Sequence, residues 1–454
     1  MGAVGRQAVV LGASVGGLLV ARVLADSFAS VTVIERDVLP DGAATRRGAP
    51  QARHPHALLT KGGHILDQLF PGLLGELVDR GAPAWDDGDW SKLYMSIAGH
   101  VMLRQGRAAF DHKQMALYFP SRPLLEAAIR RRVEAFENVH ILDGTEVAEL
   151  TVTADHRRVT GVTVASDDGA ASHHLGADLI VDAMGRSAHT PAFLEKLGYG
   201  RPEELHVKTR TCYVSQPLKI KPNSLHELIV NIHPAPGRPA GMFLTTNEND
   251  TAIFTVFGIG GNEPPADLRA MIDYAEKYTP AGFLNTVRAA EPIGNPYRYR
   301  IPSSQWRRYH KMRRFPDGLL VSGDAICSFN PIYEQGMTVS ALEAIALQDC
   351  LHNGLDNLAH RYFRATAKPI SIAWRLSTAS DLQFPETEGA RSATARIGSK
   401  PTERLLRVCE TDAVVAAQFF KVSGLVDPPT RLLKPSIVRR LATSRHQNPW
   451  RVTI

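Results

Sequence analysis

Cysteine is scarce: Cys212, Cys327, Cys350 and Cys409 are the only four in 454 residues, and no two form a C-x-x-C pair. That spacing argues against a disulfide framework and a thiolate zinc site, suits a reducing compartment, and reads as four buried thiols. No stretch is apolar for the about 18 residues that a membrane-spanning helix needs. The apolar stretch Ala8 to Leu24 is broken by Gly12, Ser14, Gly16 and Gly17 and lacks the small-residue cleavage pattern of a signal peptide. The expectation is a soluble, cytoplasmic protein with no membrane contact. A long basic run is missing as well. The net charge is +6 and the basic residues are scattered, so nucleic-acid binding is weakly supported. Arg431, Lys434, Arg439, Arg440 and Arg445 near the C-terminus read as a solvated helix face. Internal repeats and low-complexity tracts are absent.

What is present is a chain with 44% hydrophobic residues, long enough to bury a large core in two or three interwoven units. Gln7 to Leu11 is a short apolar run, Val15 to Asp26 carries helical spacing, and Val31 to Ile34 is β-branched, which together predict a β-α-β unit. The Gly-, Pro-, Arg- and His-rich segment Asp41 to His56 is too long for a simple connection and is a candidate binding loop. Helices are expected over Ala57 to Leu69, from Pro123 to Phe136, and over Met337 to Leu351. Strands are expected at 139–142, 147–152, 159–164, 179–182 and 318–322. From His206 to Arg300 apolar and polar residues alternate, as in a sheet with one solvated face that covers a pocket. Beyond Ala359 the chain reads as mainly helical.

Three segments have the chemistry to hold one ligand. In the first, Gly12-Ala13-Ser14-Val15-Gly16-Gly17 lies between strand and helix, with Glu35 and Arg36 at the end of the next strand. Gly12 permits a tight turn, Gly17 close helix–strand packing, and the helix start offers N–H groups to a pyrophosphate. Ser14 stands where the dinucleotide fingerprint prefers its second glycine. Glu35 follows Gly12 by about the 20 residues expected for the acid that binds ribose hydroxyls. The second segment runs from Val181 through Asp182 and Gly185 to Ser187. The third joins Gly318 to Gly323-Asp324-Ala325 with Asn330-Pro331-Ile332-Tyr333-Glu334-Gln335-Gly336-Met337 and a helix. A carboxylate after a strand can accept bonds from ribityl hydroxyls, and a helix start at Gly336 and Met337 can direct N–H groups at the pyrimidine end of a flavin.

These segments resemble the group A flavin monooxygenase fold typified by para-hydroxybenzoate hydroxylase. The likeness extends to actinobacterial polyether epoxidases of the monensin and lasalocid type. It is carried by Arg46-Arg47-Gly48-Ala49-Pro50-Gln51-Ala52-Arg53-His54-Pro55-His56, by Ser121-Arg122-Pro123-Leu124-Leu125, by Asp182 to Ser187 and by Phe329 to Tyr333. The resemblance implies an α/β fold: a discontinuous Rossmann-like FAD-binding domain, a mainly antiparallel sheet domain over the isoalloxazine, and C-terminal helices. On the order of the motifs, the FAD domain is 1–83, 119–205 and 301–358, the substrate sheet domain 84–118 and 206–300, and the helical region 359–454. The resemblance also implies FAD contacts from Arg46 and Arg122 and from the backbone at Val147 to the adenine. It further implies electrons from NAD(P)H or a separate flavin reductase, and oxygen transfer through a flavin C4a-hydroperoxide to a lipophilic polyketide or terpenoid of secondary metabolism. Tyr94, Met95, Phe243 and Phe254 are candidate pocket residues, with core packing as the plainer reading of each.

One residue departs from the family pattern. Glu334 stands where the related enzymes resemble Asn-Pro-x-x-Gly-x-Gly-Met and carry a glycine. An ionised carboxylate at about 6 Å from a flavin anion, with an effective dielectric of about 20, repels it by roughly 3 kcal/mol. Either Glu334 points to solvent or pairs with an arginine such as Arg46, leaving redox chemistry intact, or the flavin is structural and the pocket performs non-redox [4+2] cyclisation, as do some flavoproteins of spirotetronate and dialkyldecalin biosynthesis. No W-x-W-x-I-P segment supports a halogenase. The i,i+2 spacing of His54 and His56, without a neighbouring ligand, supports a flavin-covering loop and not a metal site. A non-catalytic FAD sensor would need a filled or shallow substrate region, which the long alternating segment does not suggest.

Overall fold

A computed structural model describes residues 4–108, 112–166, 173–391 and 399–444. Its centre is a five-stranded parallel sheet in the order Leu319–Val321, Leu179–Asp182, Gly5–Leu11, Phe28–Ile34, Val139–Leu142. The inner strands carry runs of Val, Ile, Leu and Ala that are buried on both faces at their C-terminal ends, as parallel strands flanked by helices require, whereas the edge strand Val139–Leu142 leaves His140 and Leu142 exposed. The helices Val15–Ala25, Arg122–Glu134 and Gly336–Leu351 share one hydrophobic core with them. Ser121 caps the second of these through Leu124 N–H, with Pro123 in its first turn. A three-stranded antiparallel sheet, Thr145–Val152, Val159–Ser166 and His173–Gly176, joins the same core through Val159, Val162 and Val164. His173 and His174 are exposed there.

The alternating region forms the larger sheet, of eight strands. Thr211–Lys219, Thr251–Gly258, Ala240–Asn247 and Ile229–Ile232 run antiparallel in that order, and Leu93–Ile97 joins Ile229–Ile232 in parallel. Alternation does not reveal the helices Leu268–Glu276 and Ala281–Arg288, which cover one face by packing Met271, Leu284 and Val287 on Val214, Leu218, Met242, Leu244, Phe254 and Val256. Both faces are therefore covered. The polar positions expected to meet water, such as Ser215, Thr245, Thr255 and Asn231, are buried on the inner face.

Glu204–Val207 pairs with Ser304–Arg307 and not with the large sheet. The helix Leu358–Asp381 packs on Gly336–Leu351. Ser399–Cys409, Ala413–Ser423 and Pro435–Thr443 pack on Met95, Ile97 and Met102 at the far edge of the large sheet. In the last helix Arg440 is paired with Asp412 at the surface, while Arg445 lies outside the described residues. All four cysteines are buried free thiols. Among the described residues no helix is long and apolar enough to cross a membrane, and no group of His, Cys, Asp and Glu could hold a metal ion.

The first turn of the Val15–Ala25 helix fixes how closely this core can pack. A Cβ on Gly17 would overlap the carbonyl oxygen of Gly12, which is backbone and cannot swing away. Gly17→Ala is expected to destabilise the chain by about 1–3 kcal/mol or more, as overpacking does. At Gly75 a Cβ would meet nothing within 4 Å, so Gly75→Ala is expected to be tolerated. Thermal melts of the two variants check the contrast.

Candidate functional site

The strand Gly5–Leu11 ends in Gly12, whose φ of +102° and approach to the Ala183 carbonyl both call for glycine. Ser14 is the N-cap of the following helix, but its hydroxyl makes no capping bond and accepts from the Arg46 guanidinium at 2.8 Å. The first N–H groups of the helix are thus left without a side-chain cap. Arg46 is 7% exposed and is also held by Glu35 at 3.0 Å, Asp37 at 3.3 Å and Glu126 at 3.0 Å. Glu35 accepts from Ala13 N–H and Asp37 N–H as well. Arg122 lies 3.5 Å from the same Glu126, and its buried Nε has no hydrogen-bond partner. Arg36 is exposed. Val147 sits on the edge strand Thr145–Val152, which begins where Thr145 N–H donates to the Glu35 carbonyl.

The second and third segments meet this corner. Asp182 has no exposure. Its carboxylate takes Met184 N–H and the Thr190 hydroxyl, and burial pushes it up, so its task is to hold the turn and not to reach a ligand. Gly185, at φ +77°, lies against Asp324, and Gly336 lies on the other side of the Asp324 carboxylate. Cβ atoms on Gly16 and Gly323 would stand 3.6 and 3.4 Å from Ser340 Oγ, so both helix starts and the Gly323 turn converge there. Asp324 is exposed by area, yet desolvation by the surrounding walls pushes its carboxyl up against the opposing pull of Arg122 and Arg186. A group that is both wetted and desolvated lines the floor of a crevice, not a convex surface.

Sequence reasoning missed Glu343, which lies beneath that floor. It has no exposure, accepts from Gly323 N–H and Ser322 Oγ, and desolvation lifts its carboxyl to about 8. Its only signal was a glutamate among Ala341, Ala344 and Leu347 in an apolar helix.

The segment after Asn330 carries the site towards the large sheet. Asn330 accepts from Tyr213 at 2.8 Å and donates to Asp381 at 2.9 Å, and Tyr333 donates to Asp381 at 2.9 Å. Asp381, 2% exposed, is pushed up to about 7 by burial. Tyr213, Phe243 and Phe257 stack along the inner face, with Ile332, Tyr299 and Tyr333 against them, and form an aromatic wall. Of the four proposed pocket residues only Phe243 belongs to this wall. Phe254 and Tyr94 pack in the core beneath the covering helices, and Met95 packs against the C-terminal helices. His54 and His233 are partly exposed, and burial holds both imidazoles down at about 4. His54 bonds Ser215 and His56 bonds the His54 carbonyl, so neither ring nitrogen so engaged is placed for a metal.

Glu334 does not pair with Arg46, whose guanidinium is committed to Glu35, Asp37 and Glu126. Among the described residues its side chain has no hydrogen bond or ion pair, and desolvation alone lifts the carboxyl to about 8 although some solvent contact remains. At φ 55°, ψ 20° it occupies a left-handed position, the conformation that glycine adopts most freely.

The arrangement fits a dinucleotide with a flavin end. Two helix starts lack side-chain caps, the glycines keep their approach open, the Arg122 and Arg186 charges reach Asp324, and Asp324 lines the crevice between the helix starts. The fold is that of the FAD-dependent monooxygenases. PqsL, a probable FAD-dependent monooxygenase from Pseudomonas aeruginosa, aligns over 83% of this chain and 97% of its own, with a TM-score of 0.60 and 16% identity. The anhydrotetracycline hydroxylase OxyS from Streptomyces rimosus aligns over 93% and 76%, at 0.62 and 16%. The Diels-Alderase PyrE3 of pyrroindomycin biosynthesis aligns over 93% and 80%, at 0.58 and 18%. No family model matches the sequence. Protein Rv3254 of Mycobacterium tuberculosis is 36% identical over 430 residues, spanning 93% of this chain and 90% of its own, and the chain belongs to that protein's family.

Glu343 sets a pH dependence of stability. Its folded value is raised above the unfolded one, so the contribution is fully present below about pH 4.5 and is lost as pH rises through about 8. Unfolding free energy is expected to fall by a few kcal/mol, in order of magnitude, between about pH 5 and 9. Glu343→Gln, permanently neutral, should flatten that slope in denaturant titrations at each pH.

Proposed function

We propose that the chain binds FAD in this crevice and acts as an FAD-dependent monooxygenase on a lipophilic substrate lying against the aromatic wall. The observation that carries the reading is the continuity of the two: Asp324 and Glu334, on the segment that starts the Gly336–Leu351 helix, sit within electrostatic reach of Tyr299 and Tyr213 of the wall. When bound, FAD would supply the activation of O2 and the transfer of one oxygen atom to an electron-rich carbon, by epoxidation or hydroxylation.

The chain's own residues would bind, orient and keep water out. The uncapped start of Val15–Ala25, with Gly12, Ser14, Gly16 and Gly17, suits a pyrophosphate, and Arg46 and Arg122 add positive charge beside it. Glu35 is placed for ribose hydroxyls, the Val147 edge for adenine, and Asp324 with the Gly185 and Gly323 turns for the ribityl chain. The Gly336 and Met337 N–H groups, after Pro331, suit the pyrimidine end. Electrons would come from NAD(P)H or a separate flavin reductase.

Glu334 favours this reading over non-redox [4+2] cyclisation. Repulsion of a reduced cofactor needs an ionised carboxylate, and burial keeps Glu334 neutral near pH 7. The test is direct. Protein purified with FAD should be yellow, should bleach with NADPH or dithionite under anaerobic conditions, and should lose cofactor in Asp324→Ala. The midpoint potential of Glu334→Gln should match the wild type at pH 7 and lie above it at pH 9, where the carboxyl has ionised. A colourless protein, or colour that resists both reductants at pH 7, defeats the reading.

A further inference from the structure

Within the loop expected to cover the flavin, the Pro50–Arg53 turn brings His54 against the aromatic wall. Its Nδ1 lies 2.7 Å from Ser215 Oγ, which lies 2.6 Å from Thr255 Oγ1. Ser215 and Thr255 have no exposure, and among the described residues neither hydroxyl has a further partner. The three groups share two hydrogen bonds, and the protons can be arranged in three ways. If Thr255 donates to Ser215 and Ser215 donates to Nδ1, both hydroxyl protons are used and the imidazole proton sits on Nε2. If Nδ1–H donates to Ser215, then either Ser215 donates to Thr255 and the Thr255 proton is orphaned, or Thr255 also donates to Ser215 and the Ser215 proton is orphaned, in a dry site where folded proteins rarely tolerate it. Proton accounting therefore selects the Nε2–H tautomer.

The ring is also fixed in place. Arg53 stacks at 4.4 Å over Tyr297 on one side in sequence, and His56 Nδ1 bonds the His54 carbonyl at 2.9 Å on the other. The imidazole lies 5.6 Å from the Tyr299 ring and 6.1 Å from that of Tyr213. No described residue accepts from Nε2, and His54 keeps partial contact with solvent.

We propose that His54, fixed as its Nε2–H tautomer by Ser215 and Thr255, is the hydrogen-bond donor by which the crevice recognises a carbonyl or ether oxygen on an otherwise apolar ligand. Burial and the nearby Arg53 charge keep the ring neutral near pH 7, so it offers a donor without a cation in an aromatic setting. The assignment rests on reading the wall as the place where the ligand lies, and not on the flavin.

Two measurements on the full chain test it. In protein labelled with 15N-histidine, the His54 signals, identified by their loss in His54→Phe, should report a bare Nδ1 and a protonated Nε2; a protonated Nδ1 overturns the proposal. In calorimetric titrations, 2-acetylnaphthalene should bind about tenfold more tightly than 2-isopropenylnaphthalene, which replaces the carbonyl oxygen by CH2, as one net hydrogen bond allows. His54→Phe should abolish that preference and Ser215→Ala should reduce it, with the hydrocarbon bound as before. A preference that survives either substitution unchanged, or a wild-type chain that binds neither probe, overturns the proposal. Colourless protein that still prefers the ketone would defeat the flavin assignment alone.

Discussion

The site depends on how closely two helices can begin beside one strand end. The close packing of Gly17 on Gly12 brings the Val15–Ala25 helix down onto the parallel sheet, and Gly16 and Gly323 then bring its first turn and the Gly323 turn against Ser340 of the neighbouring helix. Each helix start carries about half a positive charge and N–H groups without partners. Two such ends in one corner are unfavourable by themselves, and a negatively charged ligand lying between them relieves both.

The polar groups around that corner follow two different solutions to burial. Arg46 keeps its charge, because Glu126, Glu35 and Asp37 outweigh the desolvation that alone would lower it. Two of its carboxylate partners, Glu35 and Asp37, also hold Ala13 and Gly48 through their N–H groups, so the pairing organises backbone as much as it balances charge. Glu343, Asp381 and Glu334 lack a cationic partner, and desolvation instead holds their protons on. Asp381 accepts from both Asn330 and Tyr333 through one carboxylate oxygen, and burial raises its carboxyl, so the charge it brings beneath the aromatic wall is held down.

Much of the nucleotide-binding half was legible because its signals are local. A glycine needed for a turn, an acid at the end of the next strand and an uncapped helix start are read within a few dozen residues, and the structure brings Gly12, Ser14, Glu35, Arg46, Gly185, Asp324 and Gly336 into one neighbourhood. The substrate side was less legible, because its identity depends on pairing partners far away in sequence. Alternation in 206–300 marked strands correctly but could not say that Leu268–Glu276 and Ala281–Arg288 would cover one face, so the polar residues were expected in water when they face inward. The same blindness hid the bond from His54 to Ser215, which spans 161 residues, while Phe254 and Tyr94 take the core packing that was their plainer reading.

Glu334 joins these points. A non-glycine residue at its left-handed backbone position costs roughly 1–2 kcal/mol, and an acid without a partner at that depth carries a desolvation penalty as well. Glycine would remove both costs, so folding alone gives no reason for the glutamate. Its place is immediately before the uncapped start of the Gly336–Leu351 helix, and its side chain lies within electrostatic reach of Tyr213 on the aromatic wall. A neutral carboxyl there adds a hydrogen-bond donor and a proton that can leave near pH 8, two properties that glycine lacks. A residue that its backbone position disfavours thus brings adjustable chemistry to the place where the crevice meets the aromatic wall.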